Sequence, residues 1–412
     1  MIFKQKNNIN CAKYKFYIQC WTLDILNLEM TVDIMISKKF LISFILWTAT
    51  ISFNVPRVIS KEKLDFHGVV KEKLKGRLLQ EFDNLYETYK KMFKLTFSPE
   101  EDLKRKTIFS QSLKKIQEHN KSDGLFKMGL NEFSAMTDDE FRSSYLENPQ
   151  PILDPTSVET QAPPHEVLQK AEGRRLQTGI GSLKDIIAGL APKINWATKG
   201  KVTPVKHQRT CQACYVFSAI GALESAIALR FNVTLQLSEQ EIVDCSYTFR
   251  NNGCIGGQPS FAYDYALLNG LNLQQNYPYE AREGSCKAPT FKLAFKQPFR
   301  YFKPELNIIS ILQYLQFGPV AVNHYVPDSF KYYFSGIFQT ADCAFQTNIN
   351  HSATLIGYDL TAPQPFLILK NSWGLKWGEQ GFYKVLIGEL NFDNPGFCFL
   401  ASNGYNVFPT YF

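Results

Sequence analysis

Seven cysteines fall at positions 211, 214, 245, 254, 286, 343 and 398, and an odd number cannot all pair. In an oxidising compartment three disulfides would use six and leave one thiol over. Two of the seven stand three apart in "KHQRTCQACYVFSAIGALESAIALR" (206–230), directly before an apolar, alanine-rich run. A zinc site wants four ligands at close spacing, but neither a second C-x-x-C nor a suitably spaced histidine pair accompanies Cys211 and Cys214. A redox C-x-x-C stays open from this stretch alone, although it leaves five cysteines, again an odd number. Three disulfides plus one reactive thiol is the tidier solution.

Two further cysteines, Cys11 and Cys20, precede "MISKKFLISFILWTATISF" (35–53). Its Lys38-Lys39 start and short apolar core read as a secretory signal. The run is short for a bilayer span, which takes about 20 apolar residues, so no stable membrane insertion is expected. The residues before it fit a signal poorly: either translation begins at Met30 or Met35, or the segment is an uncleaved anchor. The Asn-x-Ser/Thr acceptors at Asn120 and Asn232 are compatible with a secretory route. The destination is then a lysosome- or vacuole-like compartment or the extracellular space.

A hydrophobic content of 45% with 33 Phe supports a packed core and excludes global disorder. The net charge of +7 is concentrated early: from Leu190 onward 17 Lys and Arg face 14 Asp and Glu. No basic stripe with interleaved aromatics occurs, so no nucleic-acid partner is expected.

The chain divides into an extension and signal (1–60), a charged helical region (61–146), a linker (147–190) and a final domain (191–412). In "LLQEFDNLYETYKKMF" the residues Leu78, Phe82, Leu85, Tyr89 and Phe93 share one helical face. A second helix is predicted over 98–120, with Ser98 as N-cap, Pro99 in the first turn and Glu101 at the third position. The stretch 147–190 is rich in Pro, Ser and Thr, contains Arg174-Arg175, and reads as exposed and open to proteolysis. Beyond it helix-like runs (214–230, 259–269) come first, and short strands dominate from about 317.

A free thiol needs activation. Cys214 opens an apolar run that suggests a buried helix, whose positive N-terminal end favours the thiolate. Cys211, one turn earlier, is the better disulfide partner. The thiolate also needs a proton acceptor and a group to orient it. After the linker there are three histidines. His207 is too near in sequence to reach across a cleft, and His324 reads as an ordinary surface residue. His351 stands just before an apolar, β-rich run, where a strand end would present it to a cleft. Twenty residues on, Asn371 ends an apolar strand and could accept the imidazole N–H, while a tryptophan, Trp373 or Trp377, shields that bond from water. Gln208 could donate to an oxyanion beside the backbone N–H of Cys214.

In this order, "PVKHQRTCQACYVFSA", "LSEQEIVDCS", "GCIGG", "YPYE", "GPVAV", "NHSATLIGY" and "LKNSWGLKWGEQGFY" make the chain resemble the zymogens of papain-like cysteine proteases, cathepsin L-like in type, from about Phe82 on. The resemblance implies an α+β fold of two halves: a helical one carrying Cys214 and a β-barrel-like one carrying His351 and Asn371. Cys214 would be the nucleophile, His351 the general base and then acid, Asn371 its orienter, and Gln208 an oxyanion donor. Gly256, Gly257, Pro259, Asn350 and Trp373 would line the substrate site. Disulfides Cys211–Cys254, Cys245–Cys286 and Cys343–Cys398 follow by the same analogy. Glu101, Arg105, Ile108, Phe109, Ile116 and Asn120 match the family's proregion motif, with Ser112 where Asn is usual; in "GLNEFSAMT" Ala135 stands where Asp is usual. The proregion would act as an intramolecular inhibitor, removed by cleavage between about 175 and 190. Gln212, in place of the usual Gly, sets a side chain beside the substrate path. No occluding-loop insertion appears between Gly257 and Tyr277, which favours an endopeptidase acting on protein or peptide substrates. No cofactor or metal is implied, and a monomer is expected. The competing readings are a catalytically silent binding protein on the same fold and a C-x-x-C oxidoreductase, which would join Cys211 to Cys214.

Overall fold

The computed structural model describes residues 66–152, 183–287, 299–343, 346, 348–401 and 406–411. The signal-like stretch, Arg174-Arg175 and linker residues 153–182 lie outside them. Backbone proximity divides the chain into Met1–Arg77 and Leu78–Phe412. The described part of the first unit is the beginning of helix α1 (Phe66–Phe93).

The rest of α1 packs on α2 (Pro99–Asn120). Ser98 starts α2 by accepting the N–H of Glu101 at 3.3 Å, and Pro99 sits where a missing N–H costs nothing. Phe82, Leu85, Tyr89 and Phe93 of the expected face of α1 join one apolar cluster with Phe109, and the face is wider than expected. Tyr86, not part of the expected face, is 1% exposed, and its ring lies 5.4 Å from that of Phe109. The Tyr86 hydroxyl donates to Asp102 Oδ1 at 3.0 Å, so a residue with a polar tip can fill the seam.

Strand β1 (Phe126–Met128) follows, then α3 (Asp138–Tyr145) and the two-residue β2 (Gln150–Pro151). Thr137 and Glu140 cap α3 reciprocally. Glu140 also takes both guanidinium nitrogens of Arg105, which holds its carboxyl down at about 2. Arg105 further donates to the Ala135 carbonyl at 2.9 Å, so a backbone oxygen serves where the family places Asp.

After α4 (Leu183–Gly189) and β3 (Lys193–Asn195), α5 (Cys214–Phe231) forms the centre of one half. It is buried without interruption from Cys214 to Ala228 and ends at Asn232 in the left-handed region, φ 54°. Around it stand α6 (Glu239–Cys245) and α7 (Pro259–Asn269). The other half contains β4 (Arg300–Phe302), α8 (Ile308–Leu315), β5 (Val320–His324), β6 (Tyr333–Phe338), β7 (Asn348–Ile349), β8 (His351–Asp359), β9 (Phe366–Lys370), β10 (Phe382–Leu386) and β11 (Phe408–Thr410). One seven-stranded sheet runs β1-β6-β10-β9-β8-β3, with β5 also on β8; β6 and β10 are parallel and the other pairs antiparallel. The early strand β1 thus extends the sheet of the later domain. β2 pairs with β7, and β4 with β11.

Disulfides join Cys211–Cys254, Cys245–Cys286 and Cys343–Cys398, and Cys214 is free. A charged cluster lies in the interior between α5 and β9. Lys206 Nζ meets Glu224 at 2.8 Å and Glu239 at 2.5 Å, and Lys370 Nζ donates to Thr203 Oγ1 at 2.9 Å. Nothing in the charge pattern of the sequence announced it.

Candidate active site

Cys214 begins α5, where the first N–H groups have no partner within the helix. The loop before it is tied to the 253–257 loop by the Cys211–Cys254 disulfide and by the N–H of Gln212 on the Cys254 carbonyl, 3.1 Å. Tyr215 adds a third tie, its hydroxyl donating to Gly253 O at 3.1 Å. The sulfur is reached from the opposite half by the N–H of Ser352, 3.3 Å away.

The residue before Ser352 is His351, the first of β8. Its Nε2 donates to Asn371 Oδ1 at 2.9 Å, just past the end of β9, and Nδ1 has no hydrogen-bond partner among the described residues. The fully buried Trp373 ring covers this pair, 4.8 Å from the imidazole. Burial first, and His324 second, push His351 down to about 3.

His324 corrects a sequence expectation. It is fully buried rather than on the surface, with Nδ1 donating to Tyr325 O and Nε2 accepting from the Tyr383 hydroxyl at 2.7 Å. Burial lowers it to about 4, and its ring lies 5.6 Å from that of His351. Its backbone pairs with that of His351 across β5 and β8.

A stretch expected to be an exposed linker enters the site. Glu147 is 6% exposed, and the Cys214 thiol donates to its Oε1 at 3.1 Å. The same oxygen accepts the Tyr215 N–H at 3.0 Å, so the helix-start donor engaged here belongs to residue 215 rather than 214. The Glu147 N–H donates to Asn350 O at 2.8 Å. Gln208 Nε2 donates at 3.1 Å to both Tyr145 O and Cys211 O. The Gln212 side chain meets the same segment, its Nε2 donating to Ser143 O at 2.7 Å. Above them Phe133, Phe141 and Tyr145 set their rings edge-on to Trp373.

Of the remaining cleft candidates, Gly256 and Asn350 touch Glu147. A methyl on Gly256 would come 3.4 Å from Glu147 Cγ, and its φ of 124° suits glycine. One on Gly257 would stand 2.3 Å from Asn251 Oδ1. Pro259 is buried in the first turn of α7. The Asn350 side chain is turned away, bonded to both backbone groups of Val326, and only its carbonyl faces the segment. Sequence reasoning missed Glu147 because one carboxylate in a Pro-rich stretch carries no signal of burial. Among the described residues no cluster of three or more His, Cys, Asp or Glu is arranged for a metal.

Residues 190–403 match the family described as papain family cysteine protease, and residues 86–141 match the cathepsin propeptide inhibitor domain. "Cysteine proteinase 3" of Solanum lycopersicum is 34% identical over 300 residues, covering 71% of this chain and 76% of that protein. The "Cathepsin L-like proteinase" of Fasciola hepatica is 32% identical over 311 residues, 74% and 88%. Among solved structures, the digestive procathepsin L 3 of Tenebrio molitor larval midgut superposes with a TM-score of 0.63 at 27% identity, over 80% of this chain and 99% of that one.

Proposed function

This chain belongs to the papain family of cysteine proteases, and from that premise we propose how its own residues divide the work of a cysteine endopeptidase made as a zymogen. Cys214 is the nucleophile and His351 the general base, then acid. Asn371 orients His351, and Gln208 receives the oxyanion together with an N–H at the start of α5. Gly256, Gly257, Pro259, Asn350 and Trp373 line the peptide site. Residues 61–146 form the inhibitory proregion, 147–190 contain the activation cleavage, and 191–412 are the catalytic domain. The three disulfides favour an oxidising compartment, hence the secretory pathway, with a lysosome-like or extracellular destination.

One observation carries this reading. The single free cysteine of the described residues opens a buried helix, and its sulfur bonds the N–H next to a histidine whose far nitrogen is held by an asparagine. With the cleft open, Nδ1 of His351 takes the thiol proton and the sulfur attacks the substrate carbonyl carbon. The carbonyl oxygen gains the charge. His351 returns the proton to the leaving amine, and a thioester remains. Water, deprotonated by His351, then cleaves the thioester, freeing the acid and restoring the thiol. The test is covalent labelling of the processed protein by an epoxide inhibitor of thiol proteases. Label is expected on Cys214, and its appearance elsewhere would refute the assignment.

Asn371→Ala is expected to lower kcat by about 10²-fold with little change in KM, because the ring loses its orientation. Loss of the acceptor also weakens the imidazolium, so the alkaline limb of the pH–rate profile should move to lower pH. A purely structural role for Asn371 would leave that limb where it was.

A further inference from the structure

We propose that the Glu147 carboxyl, seated on the sulfur, is the latch that keeps Cys214 silent in the uncleaved chain. This rests on reading Cys214 as the nucleophile and specifies how that site is regulated. Oε1 lies 3.1 Å from Sγ and 3.0 Å from the Tyr215 nitrogen, so it occupies the sulfur and a helix-start donor at once. Its backbone is fixed at two points. The Glu147 N–H is held by Asn350 O, and two residues earlier the Tyr145 carbonyl is held by Gln208 Nε2. Gly256 lets the side chain lie against its backbone.

The groups facing this carboxyl are few. From α5 come the Cys214 thiol and Tyr215; across the sulfur, from β8, come Ser352 N–H and His351. From the 253–258 loop and from β7 no charged residue faces it. Among the described residues no cation pairs with it, so burial pushes Glu147 up to about 8. Burial drives the Cys214 thiol well above its ordinary value, and its hydrogen bond to Glu147 adds to the rise. With the thiol proton engaged by Oε1, His351 has no thiolate to pair with.

The pH dependence runs against simple acid release. A carboxyl at about 8 when docked and at the ordinary 4.5 when free contributes fully to docking below about 4.5 and stops as pH rises through about 8. Glu140 behaves oppositely. Its clip on Arg105 contributes above the ordinary 4.5 and is lost as pH falls towards about 2. Acid therefore loosens the helical proregion while tightening the latch, and opening the site takes scission of the segment.

The experiment alkylates the full-length chain, disulfides intact, with iodoacetamide at pH 7 and reads Cys214 by mass in the uncleaved species. E147L keeps the bulk and removes the acceptor; it should raise the rate by at least about tenfold, the thiolate gained for one unit of thiol pKa. E147Q keeps a neutral acceptor and should stay near wild type. Either E147L as slow as wild type, or E147Q as fast as E147L, overturns the latch. Residue 147 precedes the proposed cleavage, so processed enzyme from each variant should show wild-type kcat/KM, which a misfolded variant would not. If active, processed enzyme is instead not alkylated at Cys214, it is the nucleophile assignment that fails.

Discussion

Cys214→Ala or His351→Ala in the processed enzyme should each lower kcat/KM by at least about 10⁴-fold, and the double variant should lose little more. The two groups perform one event. A sulfur without a proton acceptor stays a thiol, and an imidazole without a nucleophile has nothing to activate, so removing the second after the first removes almost nothing further. What survives is the activity of the remaining polar groups, such as Gln208. Kinetics on the three variants with one peptide substrate decide the matter. Losses that multiply would mean that the residues act independently, and His351→Ala retaining a tenth of wild-type activity would assign the proton transfer to another group.

The second large effect is on stability. Lys206→Met should destabilise the inactive Cys214→Ala chain by about 3–5 kcal/mol, seen as a lower urea midpoint. Its ammonium is the shared partner of Glu224 and Glu239, both essentially without solvent exposure. Without it, two carboxylates remain stranded in the interior. Lys370 nearby cannot replace it fully, because burial has already lowered it to about 8 and its hydrogen bond goes to Thr203. The loss should shrink as pH falls, since protonation removes the stranded charge. Replacing Lys206, Glu224 and Glu239 together by apolar residues of similar volume should recover most of the stability. If the single variant keeps the wild-type midpoint, the cluster adds nothing to folding.

The parts of the fold legible in the sequence are those carried by local signals. An unpaired cysteine before an unbroken apolar run, a histidine opening a β-rich stretch and an asparagine closing another are short-range patterns. The caps of α2 and the starts of α5 and α7 belong to the same class. What stayed hidden depends on distant partners. Tyr86 is buried because Asp102 receives its hydroxyl, and His324 because Tyr383 supplies a proton to its ring. Lys206 reads as a surface charge until α5 and α6 bring Glu224 and Glu239 around it. Glu147 is the sharpest case. Its stretch has the composition of a solvated linker, yet three hydrogen bonds to groups 67, 68 and 203 residues away draw it inside.

Strand β1 lends its backbone to β6 along Tyr333–Gly336. When proteolysis carries β1 away, β6 becomes a border of the sheet, with peptide donors and acceptors turned to water and Phe334 beside them, already 44% exposed. Maturation therefore uncovers a sheet edge, and the six-residue length of β6 keeps that edge short, one of the ways in which exposed strands are kept from templating self-association.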